Sequence, residues 1–578
     1  IGMPIVNVAS FGILADMPAG GYKQQIYQFS DNVSAYRGRH NIAAGADIFR
    51  TVNDPMLMAG FQLPAPRANA TFQNAYTNYA FADFLLGLPR SGSETVNKAG
   101  YLSPAMSMRY PDLNFYVQDD IKVSRQLTLN IGLRYELVPV LSDKEGNMRS
   151  FDFKTGQLYP APGTEMKFYQ GAHKNFAPRF GFAWQPLSGG RTVVRGGYGW
   201  YYARTVTIGP AGLASNAPAV TTRSFTNPLL TTPGLPPVTI ADFLANTNPA
   251  VASGGAATAI DPTYTQTPST QIWSLDIQHQ LPAGVLLDLG YKGALTTHLD
   301  GRVDFNTAPP GPGAINPRRP YPAWGAINTN VSGFTANYNA LIIKGEKRMS
   351  HGLSFLTSYA WSKAMDQTYG VAGDPGESGG VLAPQDRTNW RAEKALSGMH
   401  LKHRAVLSFI YQLPFGPGKP FLNWRGAPGK LLGGWIVTGI TIFQSGSPLT
   451  VRSLNDVSNS GTAFQRPDVL RNPNLPGSER TLARWFDTKA FVDPPAIRYG
   501  NAGRSLVEKP GTNNWDMSLM KDTTITESPK VQFRAEFFNA FNHPMWGTPA
   551  FEVGDDRMGS ISSARDPRLI QLGLKLIY

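Results

Sequence analysis

Any catalysis by this chain would rest on eight histidines, one Gly-x-Ser-x-Gly and scattered carboxylates, because there is no cysteine. Without cysteine there is no thiolate metal site, no disulfide and no thiol nucleophile. The histidines are His40, His173, His279, His298, His351, His400, His403 and His543. Only His400 and His403 lie close together, and they lack the His-Glu-x-x-His pattern by which zinc peptidases pair ligands with a base. They read as the entry to a strand. The sequence Gly376-Glu-Ser378-Gly-Gly380 follows Pro375 in a Gly-rich stretch. A nucleophile elbow needs a strand before the serine and a helix after it, and neither is indicated. No phosphate-binding Gly-rich loop and no calcium loop is present. Asp119 and Asp120 stand beside a turn and read as solvated carboxylates. The expectation is no enzyme activity, no metal and no cofactor.

A different set of charges is placed with more order. Arg134, Glu136, Arg179, Arg195, Asp276, Asp288, Arg534, Glu536 and Lys575 each sit in a stretch where apolar and polar residues alternate. Between Leu127 and Val138, the apolar Leu127, Leu129, Ile131, Leu133, Tyr135 and Leu137 alternate with Thr128, Asn130, Gly132, Arg134 and Glu136. A strand turns successive side chains to opposite faces, so the apolar set shares one face and the charges share the other. Asn175–Trp184 and the C-terminal Leu572, Leu574, Leu576 and Tyr578 repeat the pattern. So do Tyr22–Tyr36, His40–Arg50, Met108–Ile121, Arg191–Tyr202, Gln271–Gln280, Val285–Tyr291, Tyr338–Lys347, Leu353–Ser362, His403–Gln412, Trp435–Ser445, Trp515–Lys521 and Val531–Asn539. That makes about fifteen strands.

Soluble sandwiches and propellers also alternate. Two features point elsewhere. Spans of about ten residues are what a tilted strand needs to cross a bilayer, whereas soluble strands average about five or six. Links also take turns in length: short ones such as Lys122–Gln126, Leu281–Gly284 and Arg348–Gly352 alternate with long ones such as Thr51–Ser107, Ala203–Thr270 and Gly446–Asn514. Leu413–Gly434 is the one intermediate case. This is the rhythm of an up-and-down transmembrane barrel with short periplasmic turns and long outer loops. The predicted fold class is therefore all-β: a transmembrane antiparallel β-barrel in the outer membrane. Its inward charges would line the lumen.

Composition agrees. Charged residues are 16% of the 578, aromatics are 11%, and Gly and Pro number 59 and 46. No run approaches the ~18 apolar residues of a spanning helix. The net charge is +13, but basic residues come singly or in pairs, such as Arg318-Arg319, rather than as a stripe interleaved with aromatics. Nucleic acid is not expected as a partner. Lipid and the phosphorylated lipopolysaccharide of an outer membrane suit a cationic surface better.

Several phrases, in order, resemble the barrel of Oar-like TonB-dependent transporters. They are Phe81-Ala-Asp-Phe-Leu-Leu-Gly-Leu-Pro89, Tyr116-Val-Gln-Asp-Asp120, Leu127-Thr-Leu-Asn-Ile-Gly-Leu-Arg-Tyr-Glu136 and Asn175-Phe-Ala-Pro-Arg-Phe-Gly-Phe-Ala-Trp184. Further along come Val194-Arg-Gly-Gly-Tyr-Gly199, Tyr359-Ala-Trp-Ser-Lys363, Leu432-Gly-Gly-Trp435, Asn501-Ala-Gly-Arg504 and Phe533-Arg-Ala-Glu-Phe-Phe-Asn-Ala-Phe-Asn-His543. The resemblance implies a barrel of 22 strands, a plug, a TonB-interacting segment and an N-terminal regulatory-like domain. Only about fifteen strands and none of the other parts are found here. Residues 1–578 are thus expected to be one barrel domain, the C-terminal part of a larger barrel and incomplete at its N-terminal side. The resemblance also implies ligand binding at outer loops, import coupled to TonB, and recognition of Leu572, Leu574, Leu576 and Tyr578 by barrel-assembly machinery. The ligand is open, with glycan and peptide as candidate classes. A structural or adhesive barrel that binds partners through its loops without transport is the alternative.

Overall fold

The computed structural model describes the chain except residues 1–4, 10–11, 15–20, 58–67, 74–75, 78, 98–105, 140–141, 144–145, 161–163, 165, 168–171, 204–211, 217–219, 227–238, 242–255, 262–266, 369–383, 455, 463–464, 496, 525–529 and 578. Gly376–Gly380 and Tyr578 thus lie outside the described residues.

Fifteen strands form one continuous antiparallel sheet in chain order. They are β1 (Gly21–Arg37), β2 (His40–Leu57), β3 (Met106–Lys122), β4 (Leu127–Leu137), β5 (Phe176–Trp184), β6 (Thr192–Tyr202), β7 (Ser269–Gln280) and β8 (Val285–Asp304). The sheet continues through β9 (Ile327–Ser350), β10 (Leu353–Asp366), β11 (His403–Gln412), β12 (Trp435–Gln444), β13 (Thr512–Thr524), β14 (Lys530–Phe538) and β15 (Leu569–Ile577). Each strand pairs with the next, as alternation predicted. The sheet takes the course of a barrel wall. No ladder joins β15 back to β1 among the described residues: β1 pairs with β2, and β15 with β14.

Cross-strand partners share a face. Ile131 lies opposite Phe180, which lies opposite Tyr198, and one face carries this apolar row around the wall. Where a ring needs room, its partner is glycine. The Phe182 ring lies over Gly196, and a side chain there would run into it. The glycine makes room for the ring at this position.

Several spans run beyond the sequence reading, β8 and β9 the furthest. β8 and β9 are 20 and 24 residues long, and their ladder continues through Asp304↔Asn328, inside what read as the long link Lys292–Asn337. Beyond Thr296 the alternation becomes irregular, with Leu299, Val303, Val331 and Phe334 gathered in a buried apolar cluster among polar neighbours, while the backbone pairing persists. A register shift between Thr296 and Leu299, with His298 at φ +57°, marks the change. Such a bulge re-aims side chains without ending the ladder. The link Thr51–Ser107 also holds structure that alternation did not show. It contributes strands Ala68–Phe72 and Ser91–Asn97 to a five-stranded sheet, and a short helix at Ala80–Leu85.

The buried apolar cores lie mostly in the long links. Leu449, Val451, Phe486, Phe491 and Val507 form one cluster, and Phe151, Ala257, Ala259 and Ile327 another. The described parts of the long links thus carry buried cores, while the apolar face of the wall leaves side chains such as Ile131, Phe180, Leu289 and Leu574 exposed.

Candidate functional site

The register places Arg134, Glu136, Arg179, Arg195, Asp276, Asp288, Arg534 and Glu536 on one face, opposite the apolar one. Lys575, opposite Gln532, joins them. This face is concave: one cavity of about 840 Å³ is lined by residues of six successive strands, β9 to β14, among them Glu346, Leu356, Ser408, Ile440, Asp516 and Glu536 of this face.

The nine charges do not converge on one point. Arg134 donates to Glu136 (2.9 Å) and reaches Asp47 at 3.5 Å. Asp276 stands opposite Arg195 and 3.8 Å from Lys292. Arg534 donates to Gln532 at 2.5 Å. The Arg179 guanidinium lies 4.7 Å from the Tyr201 ring centre, in cation–π contact. Glu536 lines the large cavity with Glu346, Asp516 and Arg348, and Leu356, Ile410, Ile440 and Phe538 supply its apolar surface. Such a wall can hold a ligand or a protein segment, with several charges already neutralised by neighbours. Asp119 and Asp120, read as solvated, are both engaged: Asp119 pairs with His40 at 2.6 Å, and Asp120 accepts from Asn130 at 2.6 Å.

The long-link end holds the most elaborate polar arrangement among the described residues. Arg466 grips Glu393 with two hydrogen bonds, at 2.8 and 3.0 Å, and donates through Nε to the Ala502 carbonyl. Arg504 bonds Asp366 at the end of β10 and the Glu393 carbonyl, both at 2.9 Å. Gln385 closes the network: its backbone N–H donates to Glu393, its Oε1 accepts from the Arg466 amide, and its Nε2 donates to the Gly500 carbonyl. All five residues are buried. The link after β10 and the link after β12 are thereby tied together. Nearby, Arg498 forks onto Asp468, which also accepts the Asn501 amide, and these bonds hold the Asp468 carboxyl below the usual range.

Rings extend the connection. Phe151 packs edge-on against Tyr321 and Trp324, Phe153 against Phe305, and Trp390 stacks on Phe334. Asn459 donates to the Gly311 and Gly313 carbonyls, and Arg387 to that of Thr307. Sequence reasoning missed this network. The phrase Asn501-Ala-Gly-Arg504 contained two of its residues, but nothing in the chain order shows that Arg504 meets Asp366.

His400 and His403 are engaged in local packing and hydrogen bonds. His400 is buried; its Nδ1 accepts the Ala364 amide, and burial, with Lys363 and Lys402 nearby, pushes its pKa down. His403 hydrogen-bonds and stacks on Tyr359. No group of three or more metal-ligating side chains gathers among the described residues.

Comparison with known proteins adds the following. The family described as "Outer membrane beta barrel domain" matches residues 1–571. No curated protein matches the sequence. Among solved structures, the outer membrane transporter YddB from Escherichia coli is similar at TM-score 0.49 and 9% identity, covering 99% of this chain and 57% of that one. The FrpB iron transporter from Neisseria meningitidis gives TM-score 0.44 and 10% identity, covering 97% and 55%. The siderophore receptor PiuA from Acinetobacter baumannii gives 0.41 and 9%, covering 96% and 56%. The chain spans little more than half the length of these structures.

Proposed function

From the premise that the chain belongs to the outer-membrane β-barrel domain family and resides in the cell outer membrane, we propose that it is the barrel of a TonB-dependent transporter or receptor of the Oar-like type. The long links face outward and take a ligand, of glycan or peptide class. The charged concave wall is the lumen along which that ligand passes, and no covalent bond is made or broken. The observation that carries this reading is the pairing of a charged, cavity-bearing concave face with outer links folded into one hydrogen-bonded body. A barrel serving only as an anchor needs neither.

The same reading assigns Arg134, Glu136, Arg179, Arg195, Asp276, Asp288, Arg534 and Glu536 to the lumen. Leu572, Leu574, Leu576 and Tyr578 become the signal read by barrel-assembly machinery, and lipopolysaccharide the neighbour of the outer rim. Residues 1–578 form the C-terminal part of a larger barrel, a reading supported by the lack, among the described residues, of a ladder joining β15 to β1. TonB acts through a plug-bearing region outside these residues.

Uptake separates transport from adhesion. Cells with and without the gene are given labelled glycans and peptides, before and after the proton gradient is dissipated. Gene-dependent uptake that collapses with the gradient, while surface binding survives, supports the proposal. Gene-dependent binding with no uptake under either condition contradicts it and favours the adhesive barrel.

A further inference from the structure

The one intermediate link, Leu413–Gly434 between β11 and β12, is larger than a turn requires and is firmly folded. Gly416 and Phe421 exchange backbone bonds with their surroundings (Gly416 N–H to Phe421 O and Phe421 N–H to Pro414 O, each 3.1 Å), and Asn423 accepts the Gly418 amide. A short helix, Gly426–Leu432, returns the chain to the wall.

The wall residues that receive it lie on the apolar face. Trp435 and Lys521 are cross-strand partners in the row set with Val437 and Leu519, away from the lumen charges. Trp435 donates its indole N–H to the Leu431 carbonyl at 3.1 Å. Lys521 donates to the Lys430 and Gly433 carbonyls at 2.8 and 2.5 Å, and sits 5.2 Å from the Trp435 ring centre. The link is therefore docked at the short-link rim of the lipid-facing surface, outside the lumen.

Its free side is apolar and basic. Phe421, Trp424 and Leu431 are 59, 54 and 68% exposed, and Leu422 is exposed beside them. Lys419, Arg425 and Lys430 are the only charged residues of the link, which has no Asp or Glu. None of the three forms an ion pair among the described residues. Large apolar side chains interleaved with cations that form no ion pair among the described residues, continuous with a lipid-facing wall, match a segment lying in a headgroup layer.

We propose that Leu413–Gly434 is a membrane-surface anchor seated on the phospholipid leaflet at the short-link end. Lys419, Arg425 and Lys430 meet lipid phosphates, while Phe421, Trp424 and Leu431 enter the upper acyl region. The inference rests on the barrel's placement in the membrane and adds a second lipid contact, outside the strands.

The cysteine-free chain allows a direct test. Leu431→Cys, Leu289→Cys on the apolar face of β8, and Glu479→Cys in an outer link are each labelled with an environment-sensitive fluorophore. The full chain is refolded into phosphatidylcholine vesicles with or without phosphatidylglycerol, carrying quenchers at shallow or deep positions. The anchor predicts shallow quenching at Leu431→Cys, deep quenching at Leu289→Cys and none at Glu479→Cys. Neutralising Lys419, Arg425 and Lys430 to Gln weakens the phosphatidylglycerol-dependent part by roughly fivefold per cation. A water-exposed label at Leu431→Cys with a deep label at Leu289→Cys overturns the anchor while leaving the barrel in place. Water exposure at both overturns the placement of the wall, and the anchor with it. Protection at Leu431→Cys in cells but not in vesicles also overturns the anchor, assigning the surface to a protein.

Discussion

Ile131 and Gly132 are adjacent residues on opposite faces of the wall. Ile131 is half-exposed on the apolar side, near mid-strand in β4. Ile131→Arg should lower the stability of the lipid-inserted protein by about 2–4 kcal/mol, the midplane penalty for a cation facing lipid. Gly132→Ala should be far milder, although its new methyl meets Gln118 Cβ at 3.3 Å. Gly197→Ala, with its nearest neighbour at 3.6 Å, is the cleaner inner-face control. Refolding into vesicles at graded urea measures all three. His400 gives a pH-dependent prediction. Its folded-state pKa lies below the ordinary ~6.5, so between the two values the unfolded chain binds a proton that the folded chain does not. Stability of the link after β10 should therefore fall as pH drops below about 6.5, then level off beneath the depressed folded value. Hydrogen exchange at Ala364, corrected for intrinsic rates, should show this slope, and His400→Gln should abolish it.

At the scale of elements, the clamp between the links after β10 and β12 is the part most open to attack. Arg466→Met leaves the buried Glu393 carboxylate without its ion partner, a change that typically costs about 3–5 kcal/mol. Arg466→Met with Glu393→Met should recover most of that loss, because paired removal of a buried ion pair is often near neutral. Protease resistance of the segment from Leu449 to Arg504 reads both; equal sensitivity in the single and double variants would contradict the clamp. None of this was legible in the sequence, since Asp366, Glu393, Arg466 and Arg504 are brought together only by the fold. The fifteen strands were legible, because lipid on one side and water on the other impose a strict two-residue period. That signal stopped short of the strand ends: the far halves of β8 and β9, which bury Val303, Val331 and Phe334 against Phe305 and Trp390, read as loop. That the charges from Arg134 to Glu536 share the face opposite the apolar one was legible too. The partners of individual charges were not: His40 beside Asp119 and Asp47 beside Arg134 are meetings between strands with no local trace.

For the whole molecule, the two ends of the sheet are its weak points. Every residue of β15 is exposed, and so are Gln24–Arg37 of β1. An unpaired edge in hydrocarbon leaves N–H and C=O groups unsatisfied, at several kcal/mol each. Residues 1–578 refolded alone should thus give heterogeneous, leaky pores in single-channel recordings, and a uniform ion-tight species would show instead that β1 and β15 pair. The central claim is that the apolar face meets lipid and the charged face meets water. It is tested most directly along β4, in a chain that has no native cysteine to interfere. Single cysteines at Leu129, Asn130, Ile131, Gly132, Leu133 and Arg134 are challenged in outer membranes with a charged maleimide and, after labelling with a fluorophore, with a hydrocarbon-soluble quencher. The account predicts strict alternation: the quencher reaches positions 129, 131 and 133, and the maleimide reaches 130, 132 and 134. Uniform maleimide reactivity at all six, or the opposite alternation, would contradict it.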